Sequence, residues 1–357
     1  MSTLQSFTYQ ALPMRVVFGA GAVKSLAQEI ERLGYERALV LCSPEQEPTG
    51  RMIADALGQR SAGVLAEARM HVPREVADLA RDRARELGAD CCVAVGGGSA
   101  VGLGKAVALE HGLPVVAVPT TYAGSEMTPI WGLTEDGRKR TGRDPRVLPV
   151  SVLYDPELTL TLPAGLSVTS GINAMAHAVE ALYAPDASPV ISLMAEEGVR
   201  ALTTALPALV RDGGDLDARG QAQYGAWLCG ACLGATTMSL HHKLCHSLGG
   251  TLDLPHAPTH TVVLPHALAY NQPGAAQAVT ALSRALGGSL DPAHRFWELA
   301  GDLGAPRSLR ELGMAKTDIP RVVEEVLANP YANPVEVTEG GLTRLLNAAW
   351  AGEPPNS

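Results

Sequence analysis

Six of the ten histidines in this 357-residue chain lie between positions 241 and 266. His242 and His246 are four residues apart, a spacing that places both side chains on one face of a helix. Lys243 lies beside them, about 100° further round the helix. Imidazoles transfer protons near neutral pH and also bind metals. The sequence therefore predicts a functional site in this segment, for acid–base chemistry, anion binding or a metal.

A second helical segment repeats the spacing. Asn173 and His177 are four residues apart in an apolar stretch, and Glu180 follows one turn later. The alternative is a purely structural role, in which Asn173 and His177 are a buried pair in the core with their hydrogen bonds satisfied. Because the first segment already carries a histidine pair, we interpret the two helices as facing one polar site.

Three further histidines of this segment follow the pair His242 and His246 along the chain. The Gly-Gly pair at 249–250 is expected to end the helix, which leaves His256 on a loop flanked by prolines. We expect His260 to support the site from behind or to lie at the surface. An apolar run precedes His266, so this residue is expected to be a buried structural histidine.

Two loops are predicted to bind a nucleotide. The first consists of Gly96, Gly97, Gly98 and Ser99. Glycines let the backbone approach a ligand, and the N–H groups at a helix N-terminus favour a phosphate. A tight strand–helix turn is the alternative for this loop alone. The second loop offers the hydroxyl groups of Thr120, Thr121, Ser125 and Thr128, which suit phosphate and ribose.

Ser43 follows the strand predicted over Arg37–Cys42. In dinucleotide-binding folds, an acidic residue near this point binds the ribose 2′-hydroxyl and repels a 2′-phosphate. Because Ser43 stands there instead, the sequence does not exclude NADPH as a cofactor beside NADH.

The elements that position these residues are of two kinds. Strands and helices alternate from Met14 to Tyr154, which predicts a mostly parallel, doubly wound, Rossmann-like sheet with ligands at the carboxyl ends of its strands. After residue 157 only helical patterns follow. We therefore expect an α/β dinucleotide-binding domain over 1–157 and an all-helical substrate and catalytic domain over 158–357. The site is expected in the cleft between them.

Composition narrows the class of protein. The net charge of −9 argues against a nucleic-acid partner. The chain shows neither a signal peptide nor an apolar run of ~18 residues, so no membrane partner is expected. None of the six cysteines has the spacing of a disulfide framework. Cys229 and Cys232 form a C-x-x-C pattern in a run of small residues, which we interpret as helix packing rather than a redox or zinc site. These features predict a reduced, cytoplasmic protein.

Taken together, the glycine loop, the Pro-Thr-Thr loop and the two histidine helices resemble the iron-containing (group III) alcohol dehydrogenase superfamily, over nearly the whole chain. Four stretches resemble the maleylacetate reductases within it: 119–129, 171–184, 224–230 and 241–250. The resemblance implies an oxidoreductase that uses NADH or NADPH. The oligomeric state usual in the superfamily, together with the Ala-rich helical domain, also implies a homodimer.

The resemblance bears on the metal. In the metal-dependent members, the position matching Asn173 is an aspartate ligand, and the other ligand positions match His177, His242 and His256. An amide is a poorer ligand than a carboxylate for a hard divalent ion, although three histidines are enough to hold zinc. We therefore expect no essential metal.

The implied reaction is the reduction of the C=C bond of maleylacetate, a dicarboxylate, to 3-oxoadipate in the breakdown of aromatic compounds. Substituted and chlorinated maleylacetates are further substrates implied by the resemblance. Hydride would add to the alkene carbon β to the ketone, charge would develop on the ketone oxygen, and a proton would reach the α carbon.

Site roles follow from the resemblance and from the residue types. His246 resembles the superfamily histidine beside the nicotinamide and is our candidate acid or hydride-site organiser. His242 and His256 would hold the enolate or a carboxylate. Lys243 would either contact the substrate or form a structural ion pair. Tyr122 is a second candidate proton donor, with loop packing as its alternative.

Two other functions stay open from the sequence. One is a metal-dependent (zinc or iron) alcohol or polyol dehydrogenase of the same superfamily. The other is a nucleotide-binding module without chemistry, whose histidines store or sense a metal. The dispersed placement of the histidines on two helices and a loop argues against a sensor.

Overall fold

The computed structural model describes residues 7–135, 138–328 and 331–355. The chain divides into two compact units. We call Leu12–Leu162 the α/β unit, and Pro163–Ser357 together with the segment before Leu12 the helical unit. The division after Leu162 lies slightly beyond the boundary predicted at residue 157, and the N-terminal segment groups with the helical unit.

The α/β unit is built on a six-stranded sheet. Its strands are β1 (Arg15–Phe18), β2 (Ala38–Leu41), β3 (Ser61–Leu65), β4 (Cys91–Gly96), β5 (Val115–Pro119) and β8 (Ser151–Tyr154). Their order is β1-β8-β5-β4-β2-β3, and every neighbouring pair is parallel. The predicted doubly wound sheet is confirmed.

Helices cover this sheet. They are α1 (Leu26–Arg32), α2 (Glu47–Leu57), α3 (Arg74–Glu86) and α4 (Gly98–His111). The central strand β4 is completely buried, and Cys91 and Cys92 belong to core clusters on its opposite faces. Helix α4 packs closely on its neighbours, because a Cβ atom at Gly104 would lie 3.2 Å from Val115 Cγ1.

A β-hairpin in the α/β unit was not predicted. It consists of β6 (Ile130–Glu135) and β7 (Arg138–Arg143), paired antiparallel and apart from the main sheet. Its second strand reads Arg-Lys-Arg-Thr-Gly-Arg, which shows no alternation of apolar and polar residues. Pattern reasoning depends on that alternation and therefore missed the strand.

The described part of the helical unit contains nine α-helices. They are α5 (Ala164–Leu182), α6 (Pro189–Arg211), α7 (Leu216–Ala235), α8 (Leu240–Leu252), α9 (His256–Asn271), α10 (Ala276–Ala285), α11 (Pro292–Asp302), α12 (Ile319–Ala328) and α13 (Glu339–Ala351). Within the described ranges, none of the chain's helices combines the length and apolarity needed to cross a membrane.

Two predicted boundaries around the histidines were wrong. Helix α8 continues through the glycines at 249–250 and ends at Leu252, and Asp253, with a φ of 55°, is its left-handed C-cap residue. His256 does not lie on a loop but is the first residue of α9. Prolines made this segment look irregular. Pro258 lies in the first turn, where a helix needs no N–H donor, and α9 also accommodates Pro265 in its interior.

Candidate active site

Helices α5 and α8 bring their histidines together in the helical unit. Asn173 and His177 are buried on α5, and His242 is buried on α8. The rings of His177 and His242 stack with centroids 5.1 Å apart and an interplanar angle of 29°. The two helices therefore share one polar site, as we interpreted from their matching spacing.

Glu180 fixes the orientation of His242. This completely buried carboxylate accepts a hydrogen bond from His242 Nδ1, with Oε2 at 2.7 Å. It also accepts from the backbone N–H groups of Ser239 at 2.9 Å and His241 at 2.8 Å, and from that of His242 at 3.4 Å. Ser239 provides no side-chain cap, so Glu180 caps α8 from another helix. In the sequence Glu180 follows His177 by about one turn, but this spacing alone did not indicate its bond to α8.

Three side-chain polar atoms of these two helices are unsatisfied by the protein. Asn173 Oδ1, His177 Nδ1 and His242 Nε2 are buried, and none has a hydrogen-bond partner among the described residues. A buried polar group left unpaired costs about 1–3 kcal/mol, so such groups are uncommon in a purely structural core. Their clustering indicates a binding site for a polar ligand.

The remaining predicted residues of this group are more accessible. His246 is exposed, and its ring meets that of His242 edge-on with centroids 6.2 Å apart. His256 is also exposed and lies 4.3 Å from the ring of His260. Lys243 is half-buried, and no carboxylate of the described chain pairs with its ammonium. The structural ion pair considered for Lys243 thus finds no partner in these ranges.

His260 and His241 form a layer behind the site. Surface placement of His260 was wrong, because this residue is completely buried and its Nδ1 lies 2.9 Å from His241 Nε2. The supporting role expected for His260 agrees with its ring contact to His242, at 5.1 Å between centroids. His241 is equally buried and was not singled out individually. His266 is buried, as predicted.

Burial sets the charge of these imidazoles. It lowers the pKa of His177 well below the usual histidine value, and the nearby His242, His256 and His246 lower it further. Burial also lowers the pKa of His241 and of His260 well below that value. These three rings are therefore neutral at neutral pH. Positive charge for an anionic ligand must come from the more accessible residues of the site, such as Lys243.

The donor set fits a hard metal ion poorly. Two groups of described residues place three possible ligand atoms within 4.8 Å of one another, namely His241–Cys245–His260 and Asp78–Glu110–His111. The residues that match the family's ligand positions, His177, His242 and His256, do not form such a group among the described residues. The fourth family position offers only the Asn173 amide oxygen, whereas hard ions prefer carboxylates.

In the α/β unit, the glycine loop joins β4 to α4. Gly96 has a φ of 139°, a conformation open to glycine, and Gly97 is the N-cap residue of α4 without a side-chain cap. A Cβ atom on Gly97 would lie 3.0 Å from the Thr121 side chain, whereas one on Gly98 would meet nothing within 4 Å. The first loop thus leaves open space at the N-terminus of α4, next to Ser99.

The second loop lies against the first. Thr120 N donates to Gly96 O at 3.1 Å, while Thr120 Oγ1 is buried and lacks a partner in the described chain. An uncapped helix N-terminus and an unsatisfied hydroxyl together fit the phosphates of a dinucleotide. Tyr122 is completely buried, which favours loop packing. Its role as a proton donor stays a prediction.

Two further hydroxyls of this loop, those of Ser125 and Thr128, already have a partner within the protein. Lys105 Nζ donates to Thr128 Oγ1 at 2.9 Å and lies 3.3 Å from Ser125 Oγ. Lys105 is buried on α4 and was missed by the sequence analysis. A lysine in an apolar helical run gives no local sign that it points inward.

Ser43 has an acidic neighbour. A hydrogen bond from the Ser43 side chain lowers the pKa of the exposed Glu45, two residues along the chain. The inference from Ser43 assumed that no acid stood near the end of β2, and Glu45 corrects that premise.

The C-x-x-C pair packs helices together. Cys229 and Cys232 are completely buried, free thiols on α7. A Cβ atom on Gly198 would lie 2.8 Å from Cys229 Sγ, which shows how closely α6 approaches α7. Burial raises the pKa of both thiols, which disfavours the reactive thiolate.

Comparisons with known proteins cover the whole molecule. The model of the iron-containing alcohol dehydrogenase family matches residues 13–156, and the model of that family's C-terminal region matches residues 167–350. The two matches correspond to the α/β unit and to most of the helical unit.

Individual relatives are similar over their full length. The chain is 56% identical to a maleylacetate reductase of Sphingobium indicum, over 98% of this chain and 99% of that protein. It is 55% identical to a maleylacetate reductase of Burkholderia cepacia, over 99% and 100%. The crystal structure of maleylacetate reductase from Agrobacterium tumefaciens superimposes with a TM-score of 0.95 at 50% identity, over 99% and 100% of the two chains.

Proposed function

The chain belongs to the iron-containing alcohol dehydrogenase family, and we infer that it is an NAD(P)H-dependent reductase of the C=C bond of maleylacetate. Similarity to maleylacetate reductases over the full length supports this substrate. The observation that carries the chemistry is the polar site on α5 and α8, where an amide replaces the family's carboxylate ligand and a buried glutamate holds the central histidine.

The reaction needs groups that stabilise the negative charge of an enolate, and it does not need a strong Lewis acid. A hydride from the cofactor forms a C–H bond at the alkene carbon β to the ketone, and the π electrons move to give an enolate. A proton then reaches the α carbon and yields 3-oxoadipate. Hydrogen-bond donors placed where charge develops are commonly the largest catalytic contribution. The site must also hold two carboxylates.

His242 is the central residue of this proposal. Because Glu180 holds Nδ1, Nε2 is the atom that meets the ligand, and it is buried beside His177 and Asn173. His242 would thus donate Nε2–H to the enolate oxygen or to a carboxylate, which requires a proton on both ring nitrogens because Nδ1–H is donated to Glu180. Asn173 would orient the same group through its amide NH₂. His246 is the proposed acid, since it is exposed one turn along α8.

Lys243 and His256 are proposed to bind a substrate carboxylate. Lys243 is half-buried without an ion-pair partner in the described chain, so an anionic ligand would complete its contacts. A cation beside the neutral imidazoles also compensates locally for the net charge of −9. Tyr122 stays the second, less accessible candidate for the proton donor.

The cofactor is proposed to bind with its pyrophosphate at the N-terminus of α4. Gly96, Gly97, Gly98 and Ser99 would supply backbone N–H groups, and Thr120 and Thr121 would supply hydroxyls. For Ser125, Thr128 and Ser43 the cofactor-binding role stays a prediction. Glu45 beside Ser43 would favour the ribose 2′-hydroxyl of NADH over a 2′-phosphate.

We propose that no metal is essential. The residues at the family's ligand positions neither converge as a group of three nor include a carboxylate. The enolate can be held by the residues present, so no step requires a metal. The alternative function, a metal-dependent alcohol dehydrogenase, would have to use the three histidines without the carboxylate ligand, in whose place this chain has Asn173.

The test is the oxidation of NADH and NADPH at 340 nm with freshly generated maleylacetate, using enzyme treated with EDTA and checked for metal by mass spectrometry. Turnover by the metal-free protein is expected, with 3-oxoadipate as product. If activity returned only with added zinc or iron, the metal-free proposal would be overturned and the alcohol dehydrogenase function favoured. No turnover with either cofactor, with or without metal, would remove maleylacetate as the substrate.

Chlorinated maleylacetates extend this proposal. Hydride addition at a chlorine-bearing carbon gives an enolate that can expel chloride from the β position and restore the C=C bond. Release of one chloride for every two cofactor molecules oxidised at completion, measured with an ion-selective electrode, would test it, because the restored C=C bond is reduced in a second turnover. Cofactor oxidation without chloride release would count against this step.

We also propose a homodimer in the cytoplasm. The six cysteines are buried and free, which suits a reducing compartment. Light scattering coupled to size exclusion would test the dimer, and a mass near 37.3 kDa would instead identify a monomer.

A further inference from the structure

Lys105 is a buried cation in the α/β unit. It lies on α4, and its side chain is 1% exposed. Helix α4 begins at the glycine loop, so Lys105 belongs to the helix whose N-terminus is proposed to hold the cofactor pyrophosphate. Nothing in the proposed chemistry uses this lysine.

Its ammonium group is bonded to one short segment of chain. Nζ donates to Ser125 O at 2.6 Å, to Ile130 O at 2.8 Å and to Thr128 Oγ1 at 2.9 Å, and it lies 3.3 Å from Ser125 Oγ. The three shortest contacts account for the three N–H donors of an ammonium. Thr128 Oγ1 donates in turn to Ser125 O at 3.1 Å.

The same segment is held from a second side. Glu126 is buried, and its Oε1 accepts a hydrogen bond from Tyr154 OH on β8 at 2.8 Å. The turn Ser125–Met127 is therefore fixed to α4 by Lys105 and to the sheet by Glu126. This turn directly continues the loop of Thr120 and Thr121, which lies against the glycine loop.

Burial of a lysine has a cost that this arrangement must offset. Removing the ammonium from water lowers the pKa of Lys105 to about 7, while the negative charge of Glu126 opposes that decrease. Apolar residues of similar volume commonly stabilise a core as well as buried ions do. A directional group is needed where one loop conformation has to be selected, because an apolar side chain cannot specify three oxygen positions.

We propose that Lys105 is a positioning residue for the nicotinamide cofactor. Its ammonium fixes the Ser125–Met127 turn against α4 and thereby holds the Thr120–Thr121 loop at the spacing from the glycine loop that a dinucleotide requires. In this proposal Thr128 and the Ser125 hydroxyl act through Lys105, which replaces the direct contact with the cofactor predicted for them from the sequence. This inference rests on the proposed cofactor site.

The experiment measures binding of NADPH and NADH directly, from the change in cofactor fluorescence on titration with protein. No substrate is present in this titration, so the measured Kd does not depend on maleylacetate being the substrate, whereas the kcat measured afterwards does. Lys105→Met removes the donors at similar length, and Thr128→Val removes one acceptor. Lys24→Met, the same change at an exposed lysine of the α/β unit, is the matched control.

We expect Lys105→Met to raise the Kd for the cofactor at least about tenfold, and Lys24→Met to leave it unchanged. Thr128→Val is expected to raise it less. In the double variant the two effects should not add, because Thr128 acts through the lysine. With saturating cofactor, kcat should return to within about threefold of the parent value.

Three results would overturn the proposal. The first is a cofactor Kd within twofold of the parent in folded Lys105→Met, and the second is an additive double variant, which would make Thr128 a direct ligand. The third is a kcat that stays low at saturating cofactor. If Lys105→Met does not fold, Thr128→Val decides, and an unchanged Kd in that variant would sink the idea.

Discussion

The two polar sites of the molecule solve the problem of binding an anion in different ways. The cofactor loops of the α/β unit use backbone N–H groups, glycines and hydroxyls, and the buried Lys105 beside them makes its hydrogen bonds within the protein. The site of the helical unit uses side chains, with the neutral buried imidazole of His177 beside His242, which the carboxylate of Glu180 holds in place. Binding by backbone tolerates little change of shape, whereas catalysis by side chains is sensitive to single atoms.

The largest effect that we expect would come from His242. Replacing it with Gln keeps a polar group but loses the imidazole Nε2, so kcat should fall about 10²–10³-fold, as for other donors placed at developing charge. The Kd for cofactor should be unchanged, since the proposed cofactor loops belong to the α/β unit. Steady-state kinetics and cofactor titration would check this. His294→Gln, at an exposed histidine of α11, is the control.

If His242→Gln lowered the cofactor affinity by the same factor as kcat, the expected separation of the two sites would be contradicted. The two sites would then not act through separate sets of residues.

Glu180→Gln should have the next largest effect. The amide keeps one oxygen for the backbone N–H groups at the start of α8, but its NH₂ group opposes His242 Nδ1–H. Loss of such a supporting contact commonly costs 10–100-fold in activity, so we expect about that decrease in kcat. The measurement is kcat and KM together with the thermal midpoint. A decrease explained fully by unfolding would reduce Glu180 to a helix cap.

Gly98→Ala tests the backbone strategy. The added Cβ meets no protein atom within 4 Å, so the fold should be intact, whereas a pyrophosphate close to the backbone would be obstructed. We expect the Kd for cofactor to rise about tenfold, measured by fluorescence titration. Gly165→Ala, another glycine with open space in the first turn of a helix, is the matched control. Equal affinity in both variants would place the cofactor elsewhere.

The smallest effect concerns stability rather than activity. Burial lowers the pKa of His266 to about 4, below its unfolded value of about 6.5. As the pH falls below about 6.5, the unfolded chain takes up a proton that the native chain does not, so stability decreases until about pH 4. Between pH 8 and pH 5 this single group should cost on the order of 2 kcal/mol.

Urea unfolding at pH 8 and at pH 5 would measure this cost, followed by tryptophan fluorescence. Trp227, Trp297 and Trp350 all report on the helical unit. A His266→Phe variant should lose less stability on acidification than the parent, whereas the exposed His294→Gln control should behave like the parent. An equal loss in all three proteins would contradict the assignment to His266.

Much of the structure could be predicted from the spacing of residues along single helices and strands. The positions of Asn173, His177, His242 and His246 on two helices, and the alternation that produces a parallel sheet, could be predicted because helix and strand periodicity depend only on neighbouring residues. The same reasoning failed where its local signal was misleading. Prolines concealed the helix that begins at His256, and a run of basic residues concealed β7.

By itself, the sequence determined the fold class, the family and the set of polar residues from which the sites are made. Only the tertiary structure decided which of them meet. The bond between Glu180 and His242 spans 62 residues, and the contact between Lys105 and Thr128 depends on how a loop packs on a helix. Spacing along one element is fixed by backbone geometry, whereas such contacts depend on the packing of the whole core, which no short stretch of sequence specifies.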